Sequence, residues 1–171
     1  MSLAARRFVG FVLLVQLAFV SWVIWSAGVA SAEATLPTKP YLTLDAARRV
    51  AAAAEADAAK RGLGVVVAVV DEGGTLIVLE RLDAAQVASV DVAIAKAHTA
   101  AIFRRPSRVF EEQVRNGRVA ALALPGAAAL QGGLPLEYGG RVIGAIGVSG
   151  DAPQVDEDIA AAGVAALSGP R

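Results

Sequence analysis

The chain has 171 residues, 16 basic and 16 acidic side chains, and no cysteine. Without cysteine there is no disulfide, no thiolate nucleophile and no Cys-ligated zinc or iron–sulfur centre, and so even a charge balance lacks the basic excess that nucleic-acid binding leaves. His98 is the single histidine, which excludes multi-histidine metal sites and obliges any Ser-His-Asp triad to use it.

Arg6 and Arg7 precede the apolar run FVGFVLLVQLAFVSWVIW, which leads to AGVASA ending at Ala32. Charge, apolar core and small-residue site predict a secretory signal peptide over residues 1–32, cut before Glu33. Because about 18 apolar residues also span a bilayer, an uncleaved anchor is the alternative, and it is the one route to a membrane that the sequence offers. Either way the remainder is expected in the periplasm or secreted. The 139 residues left form one domain; they keep 14 basic side chains, having lost Arg6 and Arg7, and all 16 acidic ones, for a formal charge of −2.

EATLPTKP, residues 33–40, has two prolines and no periodicity and reads as a tether. Helix one follows, with Thr43 as N-cap, Asp45 in the first turn, Lys60 and Arg61 in the last and Gly62 at the left-handed C′ position. Its core face, Leu44, Ala47, Val50, Ala51, Ala54 and Ala58, is mostly alanine and allows a close approach to a sheet. VVVAVV (65–70) and TLIVLERL (75–82) are β-branched runs joined by DEGG, hence a hairpin. The first run is apolar on both faces, as in a central strand covered on each side.

A second helix is expected from about Ala85 to Phe103, and a short third one from Pro106 or Ser107 to Asn116 and Gly117. Strands are expected around Ala127–Gln131, Leu134–Tyr138 and Val142–Ser149, the last two joined at Gly139 and Gly140. In the final strand Ala145 and Gly147 share a face and leave room for a helix or a ligand to come close. GAIGVSG lacks the G-x-G-x-x-G spacing of a dinucleotide loop and sits in a late strand. A last helix, about Gln154–Leu167, carries Asp156, Glu157 and Asp158 at its start, where the macrodipole favours carboxylates. This order makes one α+β domain with about five strands in a largely antiparallel sheet and helices packed on it.

On the second helix, Val87, Val90, Ala97, His98, Ala101 and Ile102 lie within about 80° of Ile94, while Val92, Lys96, Thr99 and Phe103 group on the opposite side. Both sides are expected to be covered, one by the sheet and the other by a ligand or a second subunit. His98 is either a helix histidine satisfied by one hydrogen bond or a ligand.

AIAKAHTAAIFRRPS (93–107), GGLPLEYGGRVIGAIGVSG (132–150) and DEDIAAAGVAAL (156–167), in this order and spacing, resemble the GlcG/HbpS-like family, the small domain also found at the C-terminus of PduO-type proteins. The similarity spans residues 41–168. It implies an antiparallel sheet of about five strands, assembly into homo-oligomers from dimers to octamers, haem as a cofactor in several members and, in some exported ones, signalling to a membrane sensor kinase. Lys96, Thr99, Phe103, Gly132, Gly133 and Pro135 carry the family pattern, whereas the position of His98 varies among members.

Three functions follow as expectations. The first is an exported haem-binding protein that stores, carries or senses haem without a defined turnover. The residues after the tether begins offer His98, Tyr41, Tyr138, Lys39, Lys60 and Lys96 as iron ligands, of which His98 is the strongest donor at neutral pH. The second is an enzyme that binds a small organic acid or corrinoid-related molecule in a pocket of Lys96, Thr99, Phe103 and the GGLP segment. The third is a structural oligomeric module.

Overall fold

The computed structural model describes residues 35–167. The expected signal peptide or anchor lies outside the described residues. The compact domain starts at Lys39, and among the described residues no helix is long and apolar enough to cross a membrane.

Helix α1 runs Leu44–Lys60. Thr43 caps it as expected, its Oγ1 accepting from Ala46 N at 3.2 Å, and Gly62 takes a φ of +69° just past its end. The alanine-rich face is buried, but Leu44 is 47% exposed and Leu42, ahead of the cap, fills the core position instead.

Strands β1 (Val66–Asp71) and β2 (Leu76–Arg81) form the expected hairpin. Helix α2, Ser89–Phe103, is shorter than the pattern suggested, because residues 83–88 are spent in turns such as Ala85 N to Leu82 O. Helix α3, Arg108–Arg115, and a 3₁₀ turn, Val119–Ala123, follow. Strands β3 (Gly133–Tyr138) and β4 (Arg141–Ser149) turn at Gly139 and Gly140, both at positive φ (58° and 74°) as the tight hairpin needs. Helix α4, Pro153–Leu167, closes the domain.

The described sheet has four strands, antiparallel throughout, in the order β2-β1-β4-β3. The fifth strand expected at Ala127–Gln131 is a loop. Its backbone is satisfied by side chains in place of a neighbouring strand: Ala128 N donates to Thr99 Oγ1 (2.8 Å), Gln131 N to Glu111 Oε2 (2.6 Å), and Leu130 O accepts from Ser107 Oγ (2.6 Å).

Strand β1 is buried on both faces, as its sequence required. Val65, Val67 and Val69 face α1 and α4 together with Leu136, Ile146 and Val148, and Val66, Ala68 and Val70 face the alanines of α2. The result is three layers with the sheet in the middle. In register, Ala68, Gly147 and Gly133 form one row across β1, β4 and β3, and α2 lies directly on that row. A Cβ on Gly147 would stand 2.2 Å from Ala93 O and 2.5 Å from Ala97 N. The small surface of β4 thus serves a helix.

Candidate functional site

Helix α2 carries Lys96, His98, Thr99 and Phe103, and its neighbours fix what each can do. On its Lys96 side, β4, the first turn of α4 and the 126–133 loop reach Lys96 and Thr99, while Val92 and Phe103 stay half-buried. Lys96 is 4% exposed, and its ammonium donates to Asp156 Oδ2 at 2.7 Å and to Val148 O at 2.9 Å. Asp156 Oδ1 accepts from Asp151 N at 3.0 Å. Burial raises the Asp156 carboxyl above its ordinary value, and Lys96 opposes part of that rise.

Two glycines crowd Lys96, and the other residues of the expected Lys96 pocket are held in contacts of their own. Gly132 has a φ of +121°, and a Cβ there would meet Lys96 Nζ and Val148 O, each at 2.9 Å; a Cβ on Gly133 would lie 2.2 Å from Lys96 O. Thr99 Oγ1 donates to Ala95 O at 2.8 Å while accepting from Ala128 N, so it pins the loop to the helix. Phe103 packs on Phe110 with ring centroids 4.8 Å apart. Pro135 sits in edge strand β3 opposite Ala145, where a missing N–H is tolerated. Lys96 also lines a cavity of about 240 Å³ with Ser89, Gln131, Ser149 and Asp156.

His98 is directed to a different place. Its ring lies between two glycines at positive φ, Gly74 in the β1–β2 turn (84°) and Gly126 in the loop (76°). Nδ1 is 3.2 Å from Gly74 O. A carbonyl only accepts, so Nδ1 carries the proton and donates. The Nε2 edge faces Gly126, where a Cβ would come within 3.1 Å of it. The ring borders an open cavity of about 480 Å³ with Ile94, Ala95, Ala127, Ala128 and, as its charged member, Asp91.

The remaining candidate donors are less well set. Tyr41 and Tyr138 are 70% and 63% exposed and border a separate cavity of about 850 Å³ with Lys39, Arg49 and Ile143. Lys39 pairs with Glu72 at 2.5 Å, and Lys60 is exposed at the end of α1. Among the described residues no cluster of three His, Cys, Asp or Glu side chains could hold a bare metal ion.

Sequence reasoning missed Asp156 as the partner of Lys96, and Gly74 and Gly126 as the walls of His98. A lysine on a covered helix face demands a carboxylate, and Asp156 was visible as one of three acids at a helix start. Asp71 at the head of DEGG was visible too, as the residue type that organises a turn.

The family described as "Haem degrading protein HbpS-like" matches residues 42–165. Protein GlcG of Escherichia coli (strain K12) is 39% identical over 114 residues, which are 67% of this chain and 85% of that protein. A double mutant of Streptomyces reticuli HbpS has a similar structure, with a TM-score of 0.73 and 36% identity, covering 82% of this chain and 97% of that one. A structure described as a PduOC:heme complex aligns with a TM-score of 0.69 and 28% identity, covering 75% and 96%.

Proposed function

The chain belongs to the HbpS-like family, and from that premise we propose that it binds haem, whose iron His98 Nε2 would hold. The observation that carries this reading is the setting of the lone imidazole. Its Nδ1–H is spent on Gly74 O, and the ring edges an open, mainly apolar cavity. A neutral imidazole with one nitrogen donating to a carbonyl and the other free is the form in which histidine ligates metals. About 480 Å³ lies within the usual range of ligand cavities. Lys96, by contrast, is committed to Asp156 and Val148 O. When bound, haem would supply an iron whose redox and spectroscopic behaviour the protein's ligand tunes.

In this reading the role is to store, carry or sense haem in the periplasm or outside the cell, as the Arg6–Arg7 segment and the apolar run after it suggest. Signalling to a membrane sensor kinase belongs to the sensing form of the role. A homo-oligomer is part of the proposal, supported by the exposed apolar side chains Val87, Val119 and Leu122 (75%, 66% and 62%). Titrating the purified protein with ferric haem tests it: a shifted Soret band saturating at a fixed stoichiometry is expected, and a spectrum identical to free haem would end the reading.

One observation favours a second reading. Ser89 and Ser149 are 5% and 6% exposed and both line the cavity of about 240 Å³ beside Lys96, a setting for a small polar molecule. Thermal-shift screening with small organic acids tests it. Stabilisation that is lost in Ser149→Ala favours this site, and stabilisation by haem alone removes it.

A further inference from the structure

The β1–β2 turn is organised around one side chain. Asp71 Oδ1 accepts from Gly73 N at 2.9 Å and from Thr75 N at 2.8 Å; Asp71 N donates to Thr75 O at 2.9 Å, and Gly74 N to Asp71 O at 3.0 Å. Four hydrogen bonds on one residue leave the turn little freedom, since an Asx arrangement and a backbone turn reinforce each other. Gly74 sits inside it at a φ of +84°, so close to the helix that a Cβ would strike His98 Nδ1 at 2.2 Å. The turn therefore brings a carbonyl, with no side chain in between, against one edge of the imidazole.

We propose that this turn is the positioning element for His98: Asp71, acting through the Gly74 carbonyl, holds the imidazole as its Nδ1–H tautomer and keeps Nε2 free for a transition-metal centre such as haem iron. The inference deepens the haem reading and rests on it for the identity of the metal. The carbonyl does two things. It selects the tautomer, because only a protonated Nδ1 makes the bond. It also fixes the ring plane, as outer partners of ligating histidines do. Gly126 completes the arrangement on the other edge. A methyl there would stand 3.1 Å from Nε2 and 2.9 Å from Ile102 Cδ1, so a glycine at this point leaves Nε2 approachable.

The chain's single histidine makes the test direct. Long-range ¹H–¹⁵N NMR of the haem-free protein at about pH 8 resolves one imidazole, and the Nδ1–H tautomer is expected to dominate. Asp71→Ala is expected to shift the population toward Nε2–H and to weaken haem binding about 10- to 100-fold, the range typical of outer-partner changes, while Asp71→Asn, which retains an acceptor oxygen, stays close to wild type. Amide spectra of each variant confirm that the domain is folded. A dominant Nε2–H tautomer in the wild type would overturn the proposal, as would an Asp71→Ala variant, folded, with unchanged tautomer and affinity. Because the tautomer is read without haem, a protein that shows Nδ1–H but binds no haem contradicts the haem reading and supports the turn's hold on the ring.

Discussion

Lys96 Nζ and Asp156 Oδ2, sixty residues apart in the chain, meet at 2.7 Å with 5% and 2% of their side chains exposed. The pair ties α2 to the first turn of α4, and the Val148 carbonyl accepts a second hydrogen bond from the ammonium. Removing one member of a buried pair leaves the other as an uncompensated charge, which costs about 3–5 kcal/mol. Lys96→Met is expected to lose this much in urea denaturation, and a Lys96→Met/Asp156→Leu double variant to recover a large part of it. A double variant that is no more stable than Lys96→Met alone would show that burial of an unpaired carboxylate is not the cause.

The same pair sets a pH dependence. Burial raises Asp156 from its ordinary value of 3.8, with Lys96 opposing the rise, so the folded chain holds this proton more tightly than the unfolded chain. The stability it contributes is fully present below the unfolded value, about pH 4, and is lost as pH rises through the higher folded value. Without Lys96 nothing of comparable strength limits that rise. The urea midpoint of Lys96→Met is therefore expected to fall more steeply than that of the wild type between pH 4 and pH 8, and parallel curves would contradict it.

Gly147 is where α2 rests on the sheet. A Cβ there would lie 2.2 Å from Ala93 O and 2.5 Å from Ala97 N, both backbone atoms that no rotamer change can move. Gly147→Ala is expected to lift the helix and destabilise the domain by about 1–3 kcal/mol or more, as overpacking does, seen as a lowered thermal midpoint. The exposed turn glycine Gly139, at a φ of +58° with nothing within 4 Å of its Cβ position, is the comparison: Gly139→Asn should change little.

Thr99 joins helix and loop through one hydroxyl, which donates to Ala95 O and accepts from Ala128 N. Thr99→Val keeps the shape and leaves the Ala128 N–H without its partner, at a cost of about 1–3 kcal/mol. Hydrogen exchange of the Ala128 amide should accelerate in Thr99→Val and remain slow in Thr99→Ser. Equal exchange in both would place the restraint on this loop elsewhere.

How much of this was legible in the sequence follows from the range of each interaction. Val65–Val70, the DEGG turn, the Thr43 cap and the Gly139–Gly140 hairpin are local patterns, and the structure has them where propensity puts them. Ala145 and Gly147 were readable as a shallow surface, although only register shows that Gly133 extends it. Ala127–Gln131 misled because its composition suits a strand, while its backbone partners are the side chains of Thr99, Ser107 and Glu111, which no local pattern announces. Lys96–Asp156 was hidden for the same reason: three acids at a helix start have a sufficient local explanation, and of the two turned inward Asp156 is held by a lysine sixty residues away and Glu157 by Arg108. The helical wheel separated His98 from Lys96 and Thr99, but the glycines that hold the ring come from two distant turns.

The central claim is that His98 Nε2 ligates haem iron, and the most direct measurement is the absorbance of ferric haem added to His98→Gly with and without free imidazole. The wild type is expected to give a ligated Soret band; His98→Gly should lose it, and imidazole should restore it by filling the space the ring vacates. A His98→Gly protein that binds haem with wild-type affinity and an unchanged spectrum would contradict the assignment and move the iron to another donor, with Tyr41 and Tyr138 beside the 850 Å³ cavity the next to test.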